Sequence, residues 1–208
     1  MSLLIPLSFD WKQFAQELQE FNILLKSHQI LSERQDIQSF FKSRPYLSMG
    51  ISLLVNIQPE VYAHEWNLWG KFQSDLVIGS KSKKHYFFVE FEDAKKDSIF
   101  KKLSSKSTSE FSPRFEHGYS QIIDWFYLLN DMSKTNQYET AFGLNVITYD
   151  GILVIGRSHF INNTYDESRR LFWRMNHVIV NSKKILCCTY DELYQNLQEW
   201  VEQMTIQP

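Results

Sequence analysis

The stretch "HYFFVEFEDAKK", His85 to Lys96, joins an apolar run to a cluster of carboxylates. Tyr86, Phe87, Phe88 and Val89 have the length and the aromatic and β-branched content of a buried strand. Side chains alternate along a strand, so Glu90 and Glu92 project from one face while Val89 and Phe91 project from the other. Two like charges side by side at the end of a core strand need a partner.

Just upstream, "SDLVIG" (74 to 79) is a second apolar run, and the polar "GSKSKK" between the two reads as the turn of a hairpin. With the turn near residues 79 to 85, Asp75 comes opposite Glu90 across the ladder, 90 − 75 = 15 positions apart. Glu92 lies two places on, so three carboxylates converge at one sheet end. Opposed like charges are unfavourable without a cation among them. A hard divalent ion with oxygen ligands, Mg2+ or Mn2+, is the natural occupant.

Outward from this hairpin the chain alternates between helical and strand patterns. Asp10 is positioned to cap a helix whose apolar residues Trp11, Phe14, Leu18, Phe21 and Leu25 recur at helical spacing. That stripe either docks on the core or pairs with a second subunit; two or three turns of heptad favour docking over a coiled coil. A second helix starts at "SERQ", where Ser32 and Gln35 fit a capping box, and runs to Arg44 with Ile37, Phe40 and Phe41 inward. "ISLLVNI" (51 to 57) reads as a strand. Trp66, Trp69 and Phe72 read as core or interface anchors, or else as a platform on which an unpaired base stacks.

Downstream, residues 94 to 113 form a long polar Lys- and Ser-rich loop, followed by a helix from Pro113 to Leu129 with Gln121 near its middle. "FGLNVIT" and "GILVIGR" read as strands joined by a turn at Asp150 and Gly151. "TYDESRRLFWRMN" is a helix, "HVIV" and "KKILCCTY" strand material, and "DELYQNLQEWVEQM" a closing helix. "TYDE" occurs at Thr164 and Thr189 and fits a capping box at both. Sheet interleaved with helices gives an α/β class.

The 208 residues suit one domain, or one domain with a helical appendage, and 43% hydrophobic content with 15% aromatics lies far from the disordered regime. A net charge of −2 carries no sign of a nucleic-acid binder in the chain as a whole. From Lys81 to Lys106, however, eight lysines face four acids. Cys187 and Cys188, the only cysteines, are adjacent and suit neither an ordinary disulfide nor zinc ligation, which fits a reducing cytoplasm. No run reaches about 18 uninterrupted apolar residues, so no membrane span is expected. His64, His85, His117, His159 and His177 have no ligand spacing.

"SDLVIG" and "FFVEFED" resemble the Asp…Glu-x-Lys core of the PD-(D/E)xK nuclease superfamily. The ordered pieces "LLKSHQILSERQDIQSFFKSRP", "DLVIG", "VEFED", "YSQIIDWFYLL" and "ILCCTYDEL", from about Leu24 to Leu197, are similar to the Shedu anti-phage defence family. The resemblance implies a restriction-endonuclease-like mixed central sheet flanked by helices over residues 31 to 208. An N-terminal helical segment over 1 to 30 would dock or mediate oligomerisation. It implies that Asp75, Glu90 and the Phe91 carbonyl hold Mg2+ or Mn2+, with Glu33 as an outer ligand and Gln121 positioning water or phosphate. Glu92 stands where the superfamily usually has lysine; it acts there as a base or further ligand, or Lys95 or Lys96 reaches back into the site. Lys95, Lys96, Lys101, Lys102 and Arg114 would clamp DNA or RNA. The implied protein is a cytoplasmic, homo-oligomeric nuclease that hydrolyses phosphodiester bonds in defence against phage. The alternative is a catalytically inactive nuclease-fold protein that binds nucleic acid or a protein partner.

Overall fold

Two strands run apolar on both faces, "DLVIG" and "YFFVEF", so both faces of their sheet must be covered. The computed structural model, which describes residues 3–102, 104, 106–143, 146–162 and 166–206, has that arrangement. Its elements are β1 (Ile5–Pro6), α1 (Trp11–Ser27), a π-helical turn (Glu33–Gln38) running into α2 (Ser39–Lys42), and α3 (Pro45–Gly50). A 3-10 turn (Ile51–Val55) precedes β2 (Val61–Leu68), β3 (Phe72–Ser80) and β4 (His85–Phe91). Then come β5 (Phe100–Lys101), β6 (Glu110–Phe111), α4 (Pro113–Met132), α5 (Asn136–Phe142) and β7 (Thr148–Val154). α6 (Glu167–His177), β8 (Ile185–Cys188) and α7 (Tyr190–Ile206) close the chain.

The sheet is six-stranded and mixed, in the order β1-β2-β3-β4-β7-β8. β1 to β4 are antiparallel neighbours, whereas β4 pairs with β7, and β7 with β8, in parallel. Parallel neighbours need a crossover, and α4 with α5 supplies the first. The expected α/β class, with a mixed central sheet between helices and a helix at the N-terminus, is what forms.

Alternation along the strands divides the core into two layers. Val77, Tyr86 and Phe88 face Phe115, Ile122, Trp125 and Phe126 of α4. Leu76, Ile78, Phe87, Val89 and Phe91 face Phe14, Leu18, Phe21 and Leu25 of α1, Ile37 and Phe41, and Tyr190, Leu193 and Leu197 of α7. The apolar stripe of α1 is thus covered within the chain, each large side chain contributing about 1.5–3 kcal/mol. Asp10 caps the helix, its Oδ1 accepting from the N–H groups of Lys12 and Gln13 at 2.8 and 3.1 Å. At the other end Arg157, 6% exposed, donates to the carbonyls of His28 (2.6 Å) and Leu25 (2.9 Å) and forks onto Asp191 of α7.

Several expectations give way. "ISLLVNI" is the 3-10 turn that prolongs α3, because a short apolar run reads alike for a buried turn of helix and a strand; Asn56, left-handed at φ 58°, ends it. The adjoining strand is β2, where Trp66 is fully buried and so takes no part in a stacking platform, with Trp69 and Phe72 half-buried against its cluster. Asp150 and Gly151 make no turn: β7 runs straight through them. A Cβ at Gly151 would sit 2.3 Å from Ile122 Cγ2, so glycine serves the close seat of α4 on the sheet. "HVIV" supplies one isolated bridge, Val180 to Lys183. Ser32 gives its N–H and hydroxyl to Asp36 Oδ2, both at 2.7 Å, in place of a capping box with Gln35. The box at Thr189 forms with Glu192, while Thr164 lies outside the described residues. Parts of the polar 94 to 113 segment pair as the β5–β6 ribbon.

Candidate active site

The β3–β4 register pairs Leu76 with Val89 and Val77 with Phe88, which brings Asp75 alongside Glu90 one step beyond the last pair. Both lie at the end of β4 that also leads into the β7 crossover, on the face covered by α4. Beyond β4, the Glu92 N–H donates to Val154 O at 3.0 Å and Tyr190 Oη donates to Glu92 O at 2.6 Å. The carboxylate of Glu92 is therefore carried on an anchored backbone. Gly118 of α4 lies against it, since a Cβ there would come 3.0 Å from Glu92 Cγ.

These carboxylates open into a cleft of about 800 Å³ lined by Asp75, Glu90, Glu92, Glu33, Arg114 and Gln121, together with Arg34, Gln38, Lys42, Glu65, Gln73 and His117. Five carboxylates face three permanent cations in that wall. Asp75 is fixed at both oxygens: Gln38 Nε2 donates to Oδ1 at 2.8 Å and the Phe91 N–H to Oδ2 at 2.9 Å. Burial pushes its carboxyl up to about 6 against the Phe91 hydrogen bond, with Glu33 adding to the rise. Glu90 is pushed up to about 10 by burial and then by the charges of Asp75, Glu92 and Glu33. No described group hydrogen-bonds its carboxylate. Glu92, 1% exposed at its side chain, is pushed to about 8 by burial, which Arg114 opposes and Glu33 reinforces. A single nitrogen of Arg114, Nη1, lies 3.0 Å from Glu92 Oε2 and 3.0 Å from Glu33 Oε2.

An all-oxygen donor set with excess negative charge, one member buried without a hydrogen bond, suits a hard divalent cation. Asp75 and Glu90 would hold it. Among the described residues, no three of His, Cys, Asp and Glu are gathered closely enough to ligate an ion as they stand. Arg114 occupies the space between Glu33 and Glu92.

The structure thus brings together Asp75, Glu90, Glu92, Glu33, Gln121 and Arg114, and the backbone of Phe91 abuts Asp75. Lys95, Lys96, Lys101 and Lys102 are exposed outside the cleft wall. Lys95 pairs with Asp93 at 2.8 Å and does not reach back to Glu92. Arg34, Gln38, Lys42, Glu65 and Gln73 join the wall without having been expected there, and so does His117, whose position carries no ligand spacing. Arg34, Gln38 and Lys42 recur every four positions opposite Ile37 and Phe41, a polar stripe that was visible in the sequence. Cys187 and Cys188 are buried in the two opposite core layers. No helix among the described residues is long and apolar enough to cross a membrane.

A protein-family model described as Shedu protein SduA, C-terminal, matches residues 31–194, which contain every residue of the cleft. No curated protein matches the chain.

Proposed function

The chain belongs to the Shedu family, and from that premise we propose that it is a metal-dependent nuclease that hydrolyses phosphodiester bonds of DNA in defence against phage. The observation that carries this reading is the meeting of Asp75, Glu90 and Glu92 at one sheet end with Gln121 and Arg114 beside them. Asp75, already aimed by Gln38 and the Phe91 N–H, would hold Mg2+ or Mn2+ with Glu90 and the Phe91 carbonyl, and Glu33 would approach as an outer ligand. A bound ion supplies Lewis-acid polarisation of the phosphoryl oxygen and lowers the pKa of the attacking water. Glu92, carried on a backbone anchored by Val154 and Tyr190, would accept the proton of that water once the ion has drawn its carboxyl into the charged form. Gln121 offers its amide to water or phosphate. Arg114 with Lys95, Lys96, Lys101 and Lys102 would hold the phosphate backbone, giving salt-dependent binding with little reading of bases. We place the protein in the cytoplasm as a homo-oligomer, with residues 31 to 208 as the nuclease unit.

The Glu92–Arg114 pair favours a second reading, a nuclease-fold protein without activity that binds nucleic acid or a protein partner. The two part company in one experiment. Linear and circular DNA, and RNA, are incubated with Mg2+, Mn2+ or EDTA using wild type, Asp75→Ala and Glu90→Ala. Metal-dependent cleavage lost in both variants supports the nuclease. Intact substrate under every metal, with DNA still bound, transfers support to the binding protein.

A further inference from the structure

We infer that Arg114 is a resident counter-ion of the cleft: it neutralises Glu33 and Glu92 in the free protein and exchanges them for a phosphate oxygen when a divalent cation takes up carboxylate. This rests on the metal-dependent reading above.

One nitrogen bridges the two carboxylates at 3.0 Å each, so Glu33 Oε2 and Glu92 Oε2 can lie no more than 6.0 Å apart. That nitrogen stands where a shared cation would neutralise both. Glu33 opens the π-helical turn and Glu92 follows directly on β4, two elements that pack together through Ile37 and Phe91. Asp93 Oδ2 lies 4.0 Å from Arg114 Nε, so the guanidinium faces three acids.

The exposures differ across the pair. Glu92 is 1% exposed at its side chain and Arg114 42%, so the carboxylate is fixed and the guanidinium is free on its outer side. Arg114 stems from the first turn of α4, which Ser112 holds by accepting the Phe115 N–H at 3.0 Å. A long side chain on a rigid base can swing from acids to a phosphate without backbone change, and its planar fork suits either. Lys42, also in the wall, is engaged by Glu65 at 2.6 Å.

A resident counter-ion competes with metal and assists nucleic acid, so its removal must move the two affinities in opposite directions. A residue that merely clamps DNA would leave metal affinity unchanged, and a merely structural one would weaken both. The test measures Mn2+ binding by calorimetry on the full chain for wild type, Arg114→Ala, Arg114→Gln and Asp75→Ala. DNA binding is measured in parallel with Ca2+ across a salt series. Arg114→Gln retains amide donors for Glu92 and so guards against loss of folding, which circular dichroism checks. Both Arg114 variants are expected to bind Mn2+ about fivefold or more tightly than wild type. Their DNA affinity should fall, with the salt slope reduced by about 0.9 for one lost phosphate contact. Unchanged or weaker Mn2+ binding by folded Arg114 variants would overturn the inference, as would an unchanged DNA salt slope. A folded wild type that binds no Mn2+ would overturn the metal-dependent reading and this inference with it. Wild-type binding that Asp75→Ala abolishes leaves that reading standing whatever Arg114 does.

Discussion

Tyr190 Oη donates a 2.6 Å hydrogen bond to the carbonyl oxygen of Glu92, 98 positions earlier in the chain. The tyrosine opens the closing helix α7 and is fully buried, and its target is the backbone that carries the cleft's deepest carboxylate. Tyr190→Phe keeps the ring and removes the donor. We expect a loss of about 1 kcal/mol in urea denaturation and a larger proportional fall in DNA cleavage, because Glu92 loses its hold. Cleavage that merely tracks the loss of folded protein would show that this bond does not position Glu92.

Arg157 is the buried tie between both ends of the chain. It reaches Asp191 by Nε and Nη2 at 2.9 Å, the Leu25 carbonyl of α1 by Nη2 and the carbonyl of its C-cap His28 by Nη1. Breaking a buried pair strands the remaining charge, so Arg157→Ala should lower stability by about 3–5 kcal/mol. Denaturant midpoints of Arg157→Ala against Asp191→Ala check it, and additive effects in the double variant would refute the coupling.

His64 on β2 has its Nε2 buried with no hydrogen-bond partner among the described residues. Burial, then the charge of Lys42, pushes the imidazole down to about 4 from an ordinary 6.5. The folded state therefore resists protonation that the unfolded chain accepts. Its contribution is fully present above pH 6.5 and is lost as pH falls through about 4, a difference of roughly 2–3 kcal/mol. Stability of wild type minus His64→Gln, followed from pH 7.5 to 4, should decline over that window. A flat difference would disprove it.

Gly118→Ala sets helix propensity against packing. Alanine gains up to about 1 kcal/mol in a helix. Its Cβ would meet Leu153 Cδ1 at 2.8 Å and Glu92 Cγ and Oε1 at 3.0 and 3.2 Å. Overpacking of that kind costs about 1–3 kcal/mol, so the variant should melt lower and cleave more slowly. A higher melting temperature would mean that Leu153 yields freely.

The α1 stripe, the hairpin and its facing acids Asp75 and Glu90 were legible in the sequence because each depends on local periodicity or on a short turn. Readings at Asp150–Gly151 and at residues 51 to 57 failed for one reason. A glycine or a short apolar run carries no mark of what packs upon it, and here Ile122 and Phe14 were the arbiters: a Cβ at Gly50 would sit 2.3 Å from Phe14 Cε2. The stacking role weighed for Trp66 ended likewise, in a core layer.

Strand alternation and the length of the β3–β4 turn determined that acids would meet at one end of a hairpin, since these are properties of neighbours along the chain. Which groups would answer those acids was decided in three dimensions. Gln38 reaches Asp75 across 37 positions, Arg114 reaches Glu33 across 81, and Tyr190 reaches Glu92 across 98. Such pairings depend on how packed layers bring distant side chains within 3 Å, and no spacing in the sequence records that distance.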